Sequence, residues 1–193
     1  MPTVKPSRRR ILTIVAAGIA VAGLVIGLVL FKPWLLFVDV RVDEQLPTVA
    51  TSTAQAQPSP VAPSPSPAAP SAPAPAGPVQ LATGSLISHE HATSGTVRII
   101  KQPDGVRVLT LENLDTSNGP DVHVWLSAAH VVEGTGGWYT AGSADHYDLG
   151  LIKGNQGNQV YEIPADVDLS RYKSVDLWCV QFSVSFGAAE LAS

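Results

Sequence analysis

The residues that decide the fold are Ser174-Val-Asp-Leu-Trp-Cys-Val-Gln-Phe-Ser-Val-Ser-Phe186, the longest β-like run in the chain. Successive side chains of a strand point to opposite faces, so every second residue shares a face. Counting in this way collects large apolar residues on one face, which we expect to be the core face: Trp178, Val180, Phe182, Val184 and Phe186. Cys179 then points away from the core, beside polar neighbours. A bulge between Trp178 and Phe182 would reverse this assignment.

Shorter β-like runs precede this one, and turn residues separate them. They cover residues 95–101, 106–111, 121–127, 148–153 and 159–163. Pro103-Asp104-Gly105 predicts a hairpin between the first two runs, and the Gly- and Asn-rich residues 154–158 predict another between the last two. In residues 121–127, alternation places Val122, Val124 and Leu126 on one face and His123 with Trp125 on the other.

No window outside the N-terminal region shows a sustained helical period, apart from a single turn at residues 169–173 with Asp168 as its cap. Many short strands separated by turns are typical of two-layer or closed β structures. We therefore predict an all-β domain over residues 81–193, an antiparallel β-sandwich or barrel.

Charge and cysteine content exclude several classes of function. Of the 193 residues, 15% are charged, and the net charge is −4. Residues 81–193 hold six basic and thirteen acidic residues, so they lack the basic surface that nucleic acid requires. The single cysteine, Cys179, excludes an intrachain disulfide and a metal cluster built from cysteine alone.

The N-terminal region predicts a membrane anchor. Residues 11–31 carry no charge and no proline, and 21 helical residues span about 31 Å, close to the ~30 Å hydrocarbon core of a bilayer. Lys5, Arg8, Arg9 and Arg10 precede this segment. The positive-inside rule then places residues 1–10 in the cytoplasm and the rest of the chain outside, as a single-pass protein of the cell membrane. The alternative is a cleaved signal peptide, whose apolar core is normally only ~7–15 residues long.

A juxtamembrane segment, residues 32–46, and a Pro/Ala/Ser-rich linker, residues 47–80, follow the anchor. The linker has almost no bulky side chains, so we expect it to be disordered. Closely spaced prolines favour an extended chain, which could hold the domain up to roughly 90 Å from the membrane. Recognition by a proline-binding module is the alternative. Residues 38–43 alternate like a short strand.

Several residues are candidates for chemistry. The chain contains no Gly-x-Ser-x-Gly motif, and we interpret Ser143, Asp145 and His146 as a polar loop. His89-x-His91 has a spacing that metal sites use. The alternative is that these histidines are surface or hydrogen-bonded residues that neither bind a metal nor catalyse a reaction. Cys179 has three readings: a redox or cofactor ligand, an intermolecular disulfide, or an inert buried hydrophobe.

The ordered motifs of residues 81–193 resemble the DM-thirteen family of electron-transfer domains. They are Thr83-Gly-Ser-Leu86, His91-Ala-Thr-Ser-Gly95, Gly119-Pro-Asp-Val-His-Val-Trp-Leu126, Leu149-Gly-Leu-Ile-Lys-Gly154, Tyr161-Glu-Ile-Pro164 and Trp178-Cys-Val-Gln-Phe182. The resemblance implies a β-rich extracytoplasmic module whose redox centre is Cys179, as a bare thiol or as a ligand to a prosthetic group such as haem. His91 matches the family's histidine before the Ser-Gly turn and becomes the candidate second ligand.

Two functions follow as expectations. The first is a membrane-anchored redox module without independent catalytic activity, with haem or a metal as conceivable cofactors and an unidentified protein as redox partner. The second is a surface binding or adhesion module for an envelope polymer or a protein. Trp138 and Tyr139, in the loop at residues 134–142, would suit sugar stacking in that case.

Overall fold

The computed structural model describes residues 8–48 and 77–193. Its first element is helix α1, Arg8–Phe31, and α1 buries none of its side chains against the rest of the described chain. In those two ranges, α1 is the one helix long and apolar enough to cross a membrane. The predicted cytoplasmic tail (residues 1–10) and the predicted disordered linker (residues 47–80) fall mostly outside the described residues.

The domain is a β-sandwich, as the sequence predicts. The strands of residues 8–48 and 77–193 are β1 (Arg41–Asp43), β2 (Val79–Ser85), β3 (Ile87–Ser88), β4 (Ser94–Lys101), β5 (Arg107–Asp115), β6 (Val122–Ser127), β7 (His146–Leu151), β8 (Gln156–Ile163), β9 (Ser174–Cys179) and β10 (Val184–Glu190). They form one sheet in the order β1-β8-β5-β4-β2 and a second in the order β3-β10-β9-β6-β7. Neighbouring strands are antiparallel except β1 and β8.

The core lies between the two sheets. Strands β4 and β5 contribute Val97, Ile99, Leu109 and Leu111 from the first sheet. From the second sheet, Val122, Val124 and Leu126 of β6 face them, which confirms the alternation predicted for residues 121–127. Trp125, on the opposite face of β6, packs in a separate small cluster with Ala141 and Trp178.

Residues 174–186 form a hairpin rather than one strand, and the predicted core face is wrong for β9. Strand β9 ends at Cys179, and β10 begins at Val184. The intervening turn shifts the alternation by one residue, so Cys179 joins Val184 and Phe186 in the core, while Trp178 lies on the outer face. Val180 and Phe182, predicted to be core residues, are 40% and 47% exposed on the turn.

Of three other local predictions, two are confirmed and one is wrong. The Pro103–Gly105 hairpin is confirmed, because β4 and β5 pair up to Lys101 and Arg107. The hairpin predicted at residues 154–158 is wrong, because β7 pairs with β6 in one sheet and β8 pairs with β5 in the other. That loop therefore crosses between the sheets. Asp168 does cap the short turn at Leu169–Arg171, accepting a hydrogen bond from Ser170 N.

Strand β1 ties the juxtamembrane segment to the domain. Its residues pair in parallel with β8 from Arg41 opposite Gln156 to Asp43 opposite Asn158. Two glycines permit this approach: a Cβ on Gly154 would lie 2.3 Å from the Val40 oxygen, and one on Gly157 would lie 2.1 Å from the Val42 oxygen. Real Cβ atoms do not approach a backbone oxygen so closely, so a side chain at either position would displace β1.

The position of β1 corrects the expectation that the Pro-rich segment separates the anchor from the domain. Strand β1 precedes that segment, and β2 follows it. The two strands occupy opposite edges of the same sheet. The chain therefore enters the domain first, leaves it at one sheet edge and returns at the other. Only residues 32–40 separate α1 from the domain.

Candidate functional site

A groove lies where the end of α1 meets the domain. Its volume is about 510 Å³, within the range of small-molecule sites. One wall comes from residues that close the helix and follow it: Phe31, Lys32, Pro33 and Leu35. The domain supplies the rest: Glu90, His91, Asn118, Gly119, Pro120, Trp138, Tyr139, Phe182, Val184 and Phe186. The groove is therefore mostly apolar and aromatic, with a few polar groups.

Direct contacts hold the helix end against the domain. Gln181 Nε2 donates a hydrogen bond to the Leu30 oxygen at 2.8 Å. The rings of Phe31 and Phe182 stack with their centroids 6.0 Å apart. Asn118 Nδ2 donates to the Val38 oxygen at 3.2 Å. The β9–β10 turn and the loop before β6 thus fix the groove relative to the end of α1.

His91, the candidate second ligand implied by the family resemblance, lies on the groove wall. Its ring packs on Phe186 with centroids 3.8 Å apart, and its Nε2 pairs with the Glu90 carboxylate. Burial lowers the pKa of His91, and the neighbouring Glu90 opposes that shift. The imidazole is therefore favoured in its neutral form, which can donate one hydrogen bond and accept another.

Trp138 and Tyr139 line the same groove. Their rings meet edge to face with centroids 6.5 Å apart. Trp138 packs against the core, while Tyr139 is 60% exposed. Ser185 N donates a hydrogen bond to the Trp138 oxygen at 2.9 Å, which holds the segment on β10. Trp138 thus supports the wall of the groove, and Tyr139 presents its ring to solvent.

Cys179 lies in the core and is not among the residues that line the groove. Its exposed fraction is 0%. Burial raises the pKa of the thiol, partly offset by backbone hydrogen bonds from the following turn. A buried, protonated thiol is a poor nucleophile and a poor ligand. Cys179 lies between the sheets, next to core residues that include Phe186, whereas His91 is on the groove wall and packs on Phe186.

A buried polar network lies on the outer face of the second sheet. Ser185 Oγ is 2.9 Å from Asp176 Oδ2 and 2.7 Å from His89 Nδ1. His89 Nε2 donates to the Val132 oxygen at 3.1 Å. The side chains of His89, Asp176 and Ser185 are all buried, and the exposed fraction of Asp176 is 2%. Sequence reasoning missed this network, because polar residues alternating with apolar ones suggest a solvent-facing strand, and the covering segment, residues 128–145, gives no signal of its position.

Aromatic rings stack beside that network. Trp125 lies between His146, at 3.6 Å between centroids, and Trp178, at 5.1 Å. Trp125 and Asp176 are partners in the β6–β9 register. Within the described residues, Trp125 Nε1 and Asp176 Oδ1 lack a hydrogen-bond partner. The cluster is a covered aromatic layer, distinct from the groove.

The histidines do not converge on a metal. In residues 8–48 and 77–193, no group of three or more His, Cys, Asp or Glu side chains is placed to hold one. His89 binds Ser185, and His91 packs on Phe186, so the His-x-His pair is divided between two environments. The Nε2–H of His91 donates to Glu90, which leaves Nδ1 as the ring nitrogen with a free lone pair.

Comparison with known proteins adds the family. The model of the family described as "Electron transfer DM13" matches residues 85–191. That match covers the sandwich from the end of β2 to β10 and confirms the resemblance in the sequence motifs. No curated protein and no solved structure matches the chain significantly. The chain belongs to the electron transfer DM13 family.

Proposed function

We propose that this chain is a single-pass membrane protein that holds an electron-transfer domain against the extracytoplasmic surface of the membrane. The groove carries the proposal, because its walls combine the end of the apolar helix with residues of a DM13 domain. The domain works in this proposal as an electron carrier for a protein partner, without an independent catalytic reaction.

The sequence around α1 supports this orientation. Arg8, Arg9 and Arg10 begin the helix, and basic residues favour the cytoplasmic side. At the other end, Trp34 and Phe37 are 48% and 88% exposed, where aromatic side chains favour the membrane interface. The domain follows this end and is therefore extracytoplasmic in the proposal.

The groove is the proposed redox site. A group bound there would supply the redox change, and the chain would supply its surroundings. Phe182, Phe186 and Trp138 would exclude water from its faces, and His91 Nδ1 would accept a hydrogen bond at its edge. Exclusion of water strengthens such electrostatic contacts.

Cys179 is the second candidate for the redox centre, on the basis of the family resemblance. The thiol would have to react through opening of the core, since it is fully buried and its pKa is raised. Its position beside Val184 gives it a packing role in the closed domain.

A binding or adhesion role is the alternative function. The specific observation in its favour is Tyr139, which presents an aromatic ring to solvent next to Trp138. Binding of an envelope polysaccharide that depends on Tyr139, with no redox-active group on the protein, would favour this alternative.

The test is a redox titration of the full chain, purified from membranes in mild detergent. We expect a reversible absorbance change at a defined potential. The His91→Ala variant should reduce or shift that change, whereas His130→Ala should not, because His130 is exposed at 73% and pairs only with Glu190 in the described contacts. A chain that shows no reversible change in any preparation would contradict the proposed function.

A further inference from the structure

We propose that the groove binds the head group of a lipid-soluble quinone drawn from the membrane. This inference rests on the proposed function and adds the chemical class of the bound group. Quinones are planar, largely apolar rings with carbonyl oxygens at the edge and a hydrocarbon tail. The groove offers a matching surface for the ring, donors for an oxygen, and an opening next to the anchor helix.

The location fits a ligand that arrives through lipid. Phe31 is the last residue of α1, and Lys32, Pro33 and Leu35 continue the same wall. A ligand whose tail remains in the bilayer can therefore reach the groove without leaving the membrane interface. Phe182, an exposed apolar residue of the β9–β10 turn, stacks on Phe31 at the helix end.

The aromatic walls fit a flat ring. Phe182 is 47% exposed and stacks on Phe31, while Phe186 is buried and supports His91. Trp138 forms a further part of the wall. Offset or edge-to-face packing between aromatic rings contributes about 0.5–1.5 kcal/mol beyond the buried area, so such a lining favours a planar ligand over a branched one.

The polar groups are few and suit a carbonyl oxygen. Asn118 and Lys32 are hydrogen-bond donors on the lining, and the neutral His91 ring, whose Nε2–H donates to Glu90, has Nδ1 as an acceptor. Glu90 pairs with His91 Nε2 and would orient the imidazole. A quinone needs one or two donors and no vacant metal-coordination position. The two donors suit the carbonyl oxygen of a quinone, and His91 Nδ1 suits the hydroxyl of its reduced form.

Direct binding measurements test the inference. The full chain in lipid nanodiscs would be titrated by calorimetry with a short-chain ubiquinone and a short-chain menaquinone. We expect saturable binding of at least one quinone, near one equivalent per chain. Non-saturable heat that matches empty nanodiscs would overturn the inference, because it reports partition into lipid only.

Two pairs of variants locate the site. Phe182→Ala should weaken binding by roughly tenfold, because it removes one aromatic wall. Val180→Ala, on the same turn but not on the groove lining, should stay within about twofold of the parent. His91→Phe keeps a ring on Phe186 and should weaken binding of the reduced quinone by roughly fivefold, because it removes the acceptor for a hydroxyl hydrogen, whereas His130→Phe should stay within about twofold. Equal binding by all four variants would overturn the assignment to this groove.

The two proposals can fail separately. A chain with a reversible redox change that binds neither quinone would retain the proposed function and overturn the quinone assignment. A chain that binds a quinone in the groove but shows no reversible redox change when it is bound would support the binding site and contradict electron transfer. Thermal unfolding of each variant, compared with the parent, shows that a weakened variant remains folded.

Discussion

Ser185 Oγ and Asp176 Oδ2 lie 2.9 Å apart on the outer face of the second sheet, where residues 128–145 cover them. The Ser185 hydroxyl also reaches His89 Nδ1 at 2.7 Å. His89 Nε2 carries a proton, since it donates to the Val132 oxygen. Burial lowers the pKa of His89. The Ser185 hydroxyl donates to Asp176 Oδ2 and so links the carboxyl to the histidine in one buried network.

This arrangement predicts an unusual pH dependence of stability. Burial raises the pKa of Asp176 to about 7, against a partly opposing hydrogen bond from Ser185. Because the folded carboxyl has the higher pKa, the folded state binds more protons, and the unfolding free energy falls as the pH rises from about 4 to about 7. We expect Asp176→Asn to remove this loss, so that its advantage over the parent grows with pH, by up to roughly 4 kcal/mol.

Urea unfolding of the full chain in detergent, followed across this pH range, measures the difference. The pKa of His89 is lowered, so His89 alone would make the parent more stable as the pH rises through its titration. The difference between Asp176→Asn and the parent isolates the carboxyl. Asp145→Asn is the matched control, because the Asp145 side chain is 76% exposed. A difference that does not change with pH would show that Asp176 is ionised in the folded domain.

Cys179 should behave as a packing residue. We expect alkylation of its thiol in the folded chain to be slower than in urea by roughly two orders of magnitude or more, because the core must open first. Cys179→Ser should lower the unfolding free energy by about 1–3 kcal/mol, since it places a hydroxyl in an apolar core. Cys179→Ala should cost less. Rapid alkylation under native conditions, measured by mass spectrometry, would instead favour the thiol as the redox centre.

The attachment of β1 can be broken by a single methyl group. In Gly154→Ala the new Cβ would meet the Val40 oxygen, so β1 must move away from β8. We expect trypsin to cleave after Arg41 about tenfold faster in this variant, because an edge strand that detaches becomes accessible. Gly77→Ala is the control, because its Cβ would meet no neighbour within 4 Å. Equal cleavage of both variants would mean that β1 is not held by β8.

The sequence predicts the sandwich well because alternation reports which residues a strand buries. It predicts the buried face of β6 correctly, and it fails in the run from Ser174 to Phe186. A turn built from Val180 and Phe182 contains the same apolar residues as a strand, so alternation alone cannot reveal it. The positive φ of Ser183, 55°, has no signature in a serine. Strand β1 gives only a weak alternating signal, and its partner β8 lies more than 100 residues away.

The candidate site is only partly predictable for a similar reason. The resemblance to the DM13 family identifies His91, and the structure places His91 on the groove. The groove itself depends on where Phe31 and Phe182 meet, which is a contact between distant segments. Asp176 looks like a surface residue in sequence, and only the folding of residues 128–145 over the sheet buries it.

If β1 holds the domain at the membrane surface, the groove opens beside the lipid. The depth of a spin label at Val180→Cys, in a Cys179→Ala background, can be measured by power saturation in nanodiscs. We predict a label at the level of the lipid head groups, and the same depth after deletion of residues 56–70 from the Pro-rich segment. A label tens of ångströms above the bilayer, or one that moves closer when the segment is shortened, would show that β1 does not hold the domain at the membrane.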